Sequence, residues 1–344
     1  MTRTTIELAM NDISVSAHFV TAALGGARRK NFDTEAMLRA ADIPPELIQD
    51  PQARVSGHQY TLLMQTIWAT MQDEFMGFME SPSKPGTFAT MCYLVIRCHN
   101  LRAVFQRASA FYNLFEKPLY LALSEQDELA TLTIETEAQI YDPHHFLQES
   151  LLVIWHRLAC WLTGHQIELT TSCFSYPAPN HVKEYRHLFN SPLQFNQPKT
   201  GISFHKRYLD LPVLRDERAL KQFLKTSPAD LLAKPDGSST YAARIRAIIS
   251  RDFNVTVPDF EQIAQQINVS PQTLRRRLKE ENTSYQEIKD QLRRDIAIHH
   301  LSRNELSIND IALRVGFTEP STFHRAFKKW TGMTPGAYRA GAER

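Results

Sequence analysis

Two short stretches concentrate side chains that can do recognition chemistry at helical spacing. In "SPQTLRRRLKEE", residues 270–281, these are Gln272, Thr273, Arg275, Arg276 and Lys279. In "EPSTFHRAFKKW", residues 319–330, they are Ser321, Thr322, His324, Arg325, Lys328 and Lys329. Arginine can donate two parallel hydrogen bonds to guanine and glutamine can pair with adenine, each worth roughly 1–3 kcal/mol of discrimination. Lysines further along such a helix suit phosphates. The set therefore fits a helix edge that reads a DNA groove. A solvated helix face is the alternative for any single arginine, and Arg277 lies between the core and the groove face.

These side chains need helices whose opposite faces are held in a core. Leu274 and Leu278 supply that face in the first stretch, Phe323 and Phe327 in the second. The two stretches belong to a repeat. Ile263, Ala264 and Ile267 align with Ile311, Ala312 and Val315 at an offset of 48, and Leu274 and Leu278 with Phe323 and Phe327 at 49. Arg276 and Lys279 align with Arg325 and Lys328. Each copy reads as a helix, a tight turn and a second helix.

The turn residues follow from backbone sterics. Asn268 and Gly316 occupy the position that needs a positive φ, where a β-carbon is otherwise penalised. Val269 and Phe317 plug the angle between helices. Asp259 with Gln262, and Ser307 with Asp310, can cap the first helices. Ser270 before Pro271 caps the second helix of the first copy, and Thr318 is expected to do so in the other, with Pro320 in its first turn. Trp330 reads as core packing.

Between the copies, "YQEIKDQLRRDIAIHHLS" carries apolar residues at Ile288, Leu292, Ile296 and Leu301. A helix of about eighteen residues spans on the order of 27 Å. Such a strut can hold two reading helices near one turn of DNA apart, roughly 34 Å.

The rest of the chain narrows the function further. Residues 236–344 carry 17 Lys+Arg against 13 Asp+Glu, whereas residues 1–235 carry 22 against 24. A basic C-terminal third suits a polyanion. Cys92, Cys98, Cys160 and Cys173 form no CxxC pair and read as reduced core thiols. The polar N-terminus has no leader-like apolar segment, and Glu149, His156 and Arg157 interrupt the most apolar helix, so a cytoplasmic protein without a membrane span is expected. His99, His144 and His145 lack the spacing of a helical metal site, and there is no P-loop, GxSxG or GxGxxG. No enzyme activity, cofactor or metal is expected.

The first part alternates helix and strand signals. "SGHQYTLLMQTIWATMQDEF" opens with Ser56 and Gln59 in capping-box spacing, and "LRAVFQRASAFYNLF" is a second amphipathic helix. "LYLAL" and "ELATLTIETE" flank "SEQD" as a hairpin, a helix runs from about Pro143 to Leu162, and "QIELTTSCFSY" and "GISFH" read as strands. "LAKPDGSST" combines proline, glycine and serines as a linker. The expected fold is an α+β N-terminal domain, helices with a small mixed sheet, over 1–232. A linker follows at 233–240, then an all-α domain of two helix-turn-helix units joined by a helix at 241–344.

"IALRVGFTEPSTFHRAFKKWTGMTPGAYR" makes the C-terminal hundred residues resemble the AraC/XylS-type DNA-binding domain. The N-terminal part, chiefly through "CFSYPAPNHVKEYRHLFNSPLQFNQPKTGISFHKRYLDLPV", resembles the arabinose-binding-type effector domain of the ornithine-regulator-like and VirS-like branch, not a cupin barrel. The resemblance implies a transcription regulator, commonly an activator. Its implied partners are double-stranded DNA, RNA polymerase, a small-molecule effector and a second copy of the chain. The alternative is an N-terminal domain that only dimerises or binds a regulatory protein. No residue can be assigned to the effector from sequence.

Overall fold

The computed structural model describes residues 14–49, 53–115, 119–136, 138–225, 227, 231, 241–252, 258–280, 283–303 and 306–342. The linker expected at 233–240 lies outside these residues. In chain order the chain forms β1 (Ser14–Ser16), α1 (Ala17–Ala23), α2 (Gly25–Arg29), α3 (Thr34–Ala40), β2 (Arg54–Ser56), α4 (Gly57–Met71), α5 (Thr87–Val95) and α6 (Leu101–Tyr112). Then follow β3 (Leu119–Gln126), β4 (Leu129–Thr136), α7 (Phe146–Thr163), β5 (Leu169–Cys173), α8 (Val182–Phe189), β6 (Leu193–Gln194), β7 (Gly201–His205) and α9 (Glu217–Phe223). The remainder is helical: α10 (Tyr241–Asp252), α11 (Phe260–Ile267), α12 (Pro271–Glu280), α13 (Tyr285–Arg303), α14 (Ile308–Arg314), α15 (Pro320–Thr331) and α16 (Pro335–Ala342).

Packing divides the chain into two units. One gathers Met1–Val20, Leu38–Tyr60 and Gly237–Arg344; the other gathers Thr21–Met37 and Thr61–Asp236. The second unit holds a five-stranded sheet in the order β3-β4-β7-β5-β6, antiparallel except for the β5–β6 pair. Its hairpin pairs Gln126 with Leu129, so the turn tightens to Asp127–Glu128, with Asp127 at φ 52°. The strands run through most of "SEQD", because alternation in β4 buries Ala130 and Leu132 and carries the register to the end of the ladder.

Helix α7 is the apolar centre of this unit, and its charged positions are buried with it. Phe105 of α6 lies 6.4 Å from Trp155 of α7 and 6.3 Å from Phe204 of β7, ring centre to ring centre. In this unit Gly26 permits a backbone crossing. A Cβ there would sit 1.9 Å from the Met76 carbonyl oxygen. The four cysteines are free thiols, with Cys92 and Cys98 buried.

The other unit contains one element that the periodicity of the first hundred residues does not signal. β1 and β2 pair antiparallel, Ser14 with Ser56 and Ser16 with Arg54. Three-residue strands are too short to show a period of two. The capping box predicted at the start of α4 is present: the Ser56 Oγ accepts from the Gln59 N–H at 3.1 Å, and Gln59 Oε1 accepts from the Ser56 N–H at 2.9 Å. Among the described residues no helix is long and apolar enough to cross a membrane.

Candidate nucleic-acid interface

The first helix-turn-helix is built by local hydrogen bonding. Asp259 and Gln262 close a reciprocal capping box at the start of α11. Asn268 ends that helix at φ 61°, the left-handed region a short polar side chain tolerates. Ser270 then accepts from the Thr273 N–H at 3.1 Å and caps α12. Ile263, Ala264 and Ile267 of α11, Leu274 and Leu278 of α12, Ile288 of α13, and Ala242, Ile245 and Ile249 of α10 share one buried core. Val269 packs against it from the turn.

The second unit repeats the plan with one difference. Ser307 accepts from the Asp310 N–H at 3.1 Å and caps α14, and Gly316 turns the chain at φ 80°. Phe323 and Phe327 are fully buried, with ring centres 5.6 Å apart. Phe317 lies 5.7 Å from Phe323 and 5.9 Å from Trp330, so Trp330 belongs to the packing, as expected. The cap expected from Thr318 is not made. Glu319 holds the cap position without a side-chain bond, and Pro320 follows directly. The extra residue in this turn moves Thr318 one position too early, and proline at the first helical position removes one orphan donor.

The predicted reading residues fall on the outer faces. Gln272, Arg275, Arg276, Lys279, Ser321, Thr322, Arg325, Lys328 and Lys329 are exposed, and Arg277 is too. Two predicted positions are less available than their types suggest. Thr273 is half-buried, and its hydroxyl bonds Ser270 Oγ at 2.8 Å within the cap. His324 is half-buried and edge-on to Phe323 at 6.1 Å. Arg275 carries its guanidinium 5.2 Å over the Phe260 ring, a cation–π contact across the two helices of the first unit.

The helix ends differ in charge. The first turns of α11 and α14 carry Glu261 and Asp310, whereas those of α12 and α15 carry no acidic residue. A helix N-terminus presents unpaired N–H groups and the positive end of the macrodipole. The first turns of α12 and α15 set no carboxylate against a phosphate, and Glu319 stands at the cap position just before α15.

Three arginines that the sequence reading did not single out position these elements. Arg293 of α13 lies 5.1 Å over the Phe317 ring and brackets the Gly316 turn. Arg244 donates to the Ile267 carbonyl at 3.2 Å, and Arg339 donates to the Leu306 carbonyl at 2.7 Å. Periodicity placed these residues on helices; nothing in one sequence names their acceptors. Tyr285 donates to the Pro258 carbonyl, and burial pushes its hydroxyl pKa up to about 12. Lys289 lies 4.7 Å over the Tyr285 ring, and burial lowers its pKa.

This paired geometry coincides with two family profiles. Residues 263–341 match a helix-turn-helix domain, and residues 32–213, more than half the chain, match the N-terminal arabinose-binding domain of AraC transcription regulators. The chain belongs to the AraC family. This AraC-family protein is 29% identical over 309 residues to the ornithine utilization regulator of Pseudomonas aeruginosa, covering 89% of this chain and 90% of that protein. It is 22% identical over 318 residues to an uncharacterized HTH-type transcriptional regulator of Mycobacterium tuberculosis, covering 91% and 92%. VirS of Mycobacterium tuberculosis is 26% identical over 184 residues, 54% of each chain. The AraC-family chain is accordingly a DNA-binding transcriptional regulator with an arabinose-binding-type N-terminal region, and not an enzyme.

Proposed function

We propose that this regulator reads two adjacent major-groove segments with α12 and α15, and that a small-molecule effector in the α+β unit controls it as an activator. The observation that carries the DNA reading is a pair of helices, each with no acidic residue in its first turn, an exposed polar leading edge and an opposite face buried in the core of its own unit. Gln272, Arg275, Arg276, Ser321, Thr322, His324 and Arg325 face base edges, with Thr273 fixing the cap beside them. Lys279, Lys328 and Lys329 meet phosphates. The DNA-binding domain runs from about residue 241, after a linker at 233–240 and an effector and dimerisation domain over 1–232. The 19-residue α13 spaces the two readers, on the order of 28 Å by helical rise. The protein acts in the cytoplasm, where it meets RNA polymerase.

Footprinting on the promoter region of its own gene, with and without candidate effectors, tests this reading. Protection of two segments about one helical turn apart supports it. Protection of one segment, or none, counts against paired reading.

A second reading, in which the N-terminal part dimerises or binds a regulatory protein, has its own support. Tyr93, Leu94, Leu114 and Phe115 of the α5–α6 region are exposed, Leu114 at 81%. Exposed large apolar groups mark an interaction surface where they join into one contiguous patch. Thermal shift against amino acids, fatty acids and aromatic acids separates the two readings. Sedimentation of wild type and Leu114→Glu shows whether the patch pairs two copies.

A further inference from the structure

In the α+β unit, Glu149 stands in the first turn of α7 with 1% exposure. Its Oε1 accepts hydrogen bonds from the hydroxyls of Tyr176, at 3.2 Å, and of Tyr185. Its Oε2 is buried and makes no hydrogen bond. No arginine or lysine side chain among the described residues pairs with it. The basic neighbour is His181, whose Nε2 is 3.9 Å from Oε1, and burial lowers the pKa of that imidazole.

The surroundings are aromatic. His145 stacks on Tyr176 at 3.7 Å with planes 2° apart, and Phe174 lies 4.9 Å from Tyr185 and 5.2 Å from Phe195. His145, His181 and Phe195 are half-buried and form the solvent side of this shell. Asp142, just before α7, is a second buried carboxyl and has its own unbonded oxygen, Oδ1. A buried carboxyl without a cation is costly, and such groups stay protonated until a partner arrives.

We propose that Glu149 anchors the effector, and that the effector is a small organic cation bearing a primary amine. This rests on the reading that the α+β unit takes a small molecule at all. An ammonium supplies the missing partner of Oε2. An anion would meet Asp142, whose pKa of about 6 leaves it ionised at pH 7. A neutral apolar ligand would leave Oε2 unpaired. Burial lifts the Glu149 pKa to about 8, so an ammonium bound near pH 7 displaces the proton and affinity rises with pH towards 8. Asp142, His144, His145, His181, Glu184, Tyr176 and Tyr185 are the other titratable groups around it.

The test uses the full chain with n-butylamine, 1,4-diaminobutane and L-lysine, against 1-butanol and butyrate as neutral and anionic controls. The amines are expected to raise Tm saturably and to release a proton at pH 7, read as a binding heat that varies with buffer ionisation enthalpy. Glu149→Gln is expected to lose about tenfold or more in amine affinity together with the proton release, while unfolding cooperatively. Tyr176→Phe is expected to weaken amine binding several-fold, and decides the matter should Glu149→Gln fail to fold. Unchanged amine affinity in either folded variant overturns the proposal. Stabilisation by butanol or butyrate in place of the amines also overturns it, while leaving an effector role intact. Silence from every compound class, in Tm and in DNA affinity, removes both the cation and the effector reading.

Discussion

The Tyr338 hydroxyl donates a hydrogen bond to the backbone carbonyl of Arg54 at 2.8 Å, across 284 positions of sequence. Tyr338 is buried in α16 and its ring lies 5.7 Å from Phe327, a core residue of the second reading helix. One side chain thus ties β2 to the packing behind α15. Tyr338→Phe removes the donor and keeps the ring. It is expected to cost about 1 kcal/mol, read as a lowered urea midpoint with an unchanged m-value.

Base-reading and phosphate-binding roles separate by what a mutation does to specificity. Arg276→Ala and Arg325→Ala are each expected to weaken operator binding by roughly 1–3 kcal/mol and to relax preference at one base position. Lys328→Ala should weaken binding to all sequences and reduce the salt slope by about 1. Mobility-shift titrations at several salt concentrations measure both. Operator affinity unchanged in both arginine variants would remove them from the groove.

The turn of the second unit depends on Gly316. At φ 80°, a β-carbon would be strained, and it would also approach Arg293 Nη2 at 3.4 Å. Gly316→Ala is expected to destabilise by about 1 kcal/mol or more. Gly316→Asn should cost less, since Asn268 adopts the same conformation in the first unit at φ 61°. Thermal unfolding of the three proteins ranks them.

Stability should depend on pH through Glu149. Burial raises its folded-state pKa to about 8 against an ordinary carboxylate value of 4.5. Between those values the folded chain holds a proton that the unfolded chain has lost, so this contribution is present at low pH and disappears as pH rises towards 8. Asp142 acts in the same direction, with its pKa raised to about 6. Tm should therefore fall from pH 5 to pH 8, and Glu149→Gln should fall less steeply. Parallel slopes in the two proteins would show that the carboxyl ionises normally.

The recognition half was legible because its signals are local. Caps at Asp259 and Ser307, positive-φ residues at Asn268 and Gly316, and apolar steps from Leu274 to Leu278 and Phe323 to Phe327 all act within a few residues of one another. The misassigned cap at Thr318 shows the limit: one inserted residue shifted the register, and Pro320 set the helix start instead. The hairpin and the buried α7 were likewise readable from periodicity.

The sequence by itself determined the tandem helix-turn-helix units, their inward and outward faces, and the α+β character of the larger part, because hydrogen bonding and burial there repeat at 3.6 or 2 residues. Tertiary structure alone decided which distant groups meet. It set Arg275 over Phe260, Arg293 over Phe317 and Tyr338 against Arg54. It also collected Glu149, Tyr176 and Tyr185 into one buried cluster. Residues 149, 176 and 185 carry no common period, and a carboxyl's environment is a property of what folds around it. The physical chemistry of Glu149 therefore exists only once α7, α8 and the segment after β5 have closed over it.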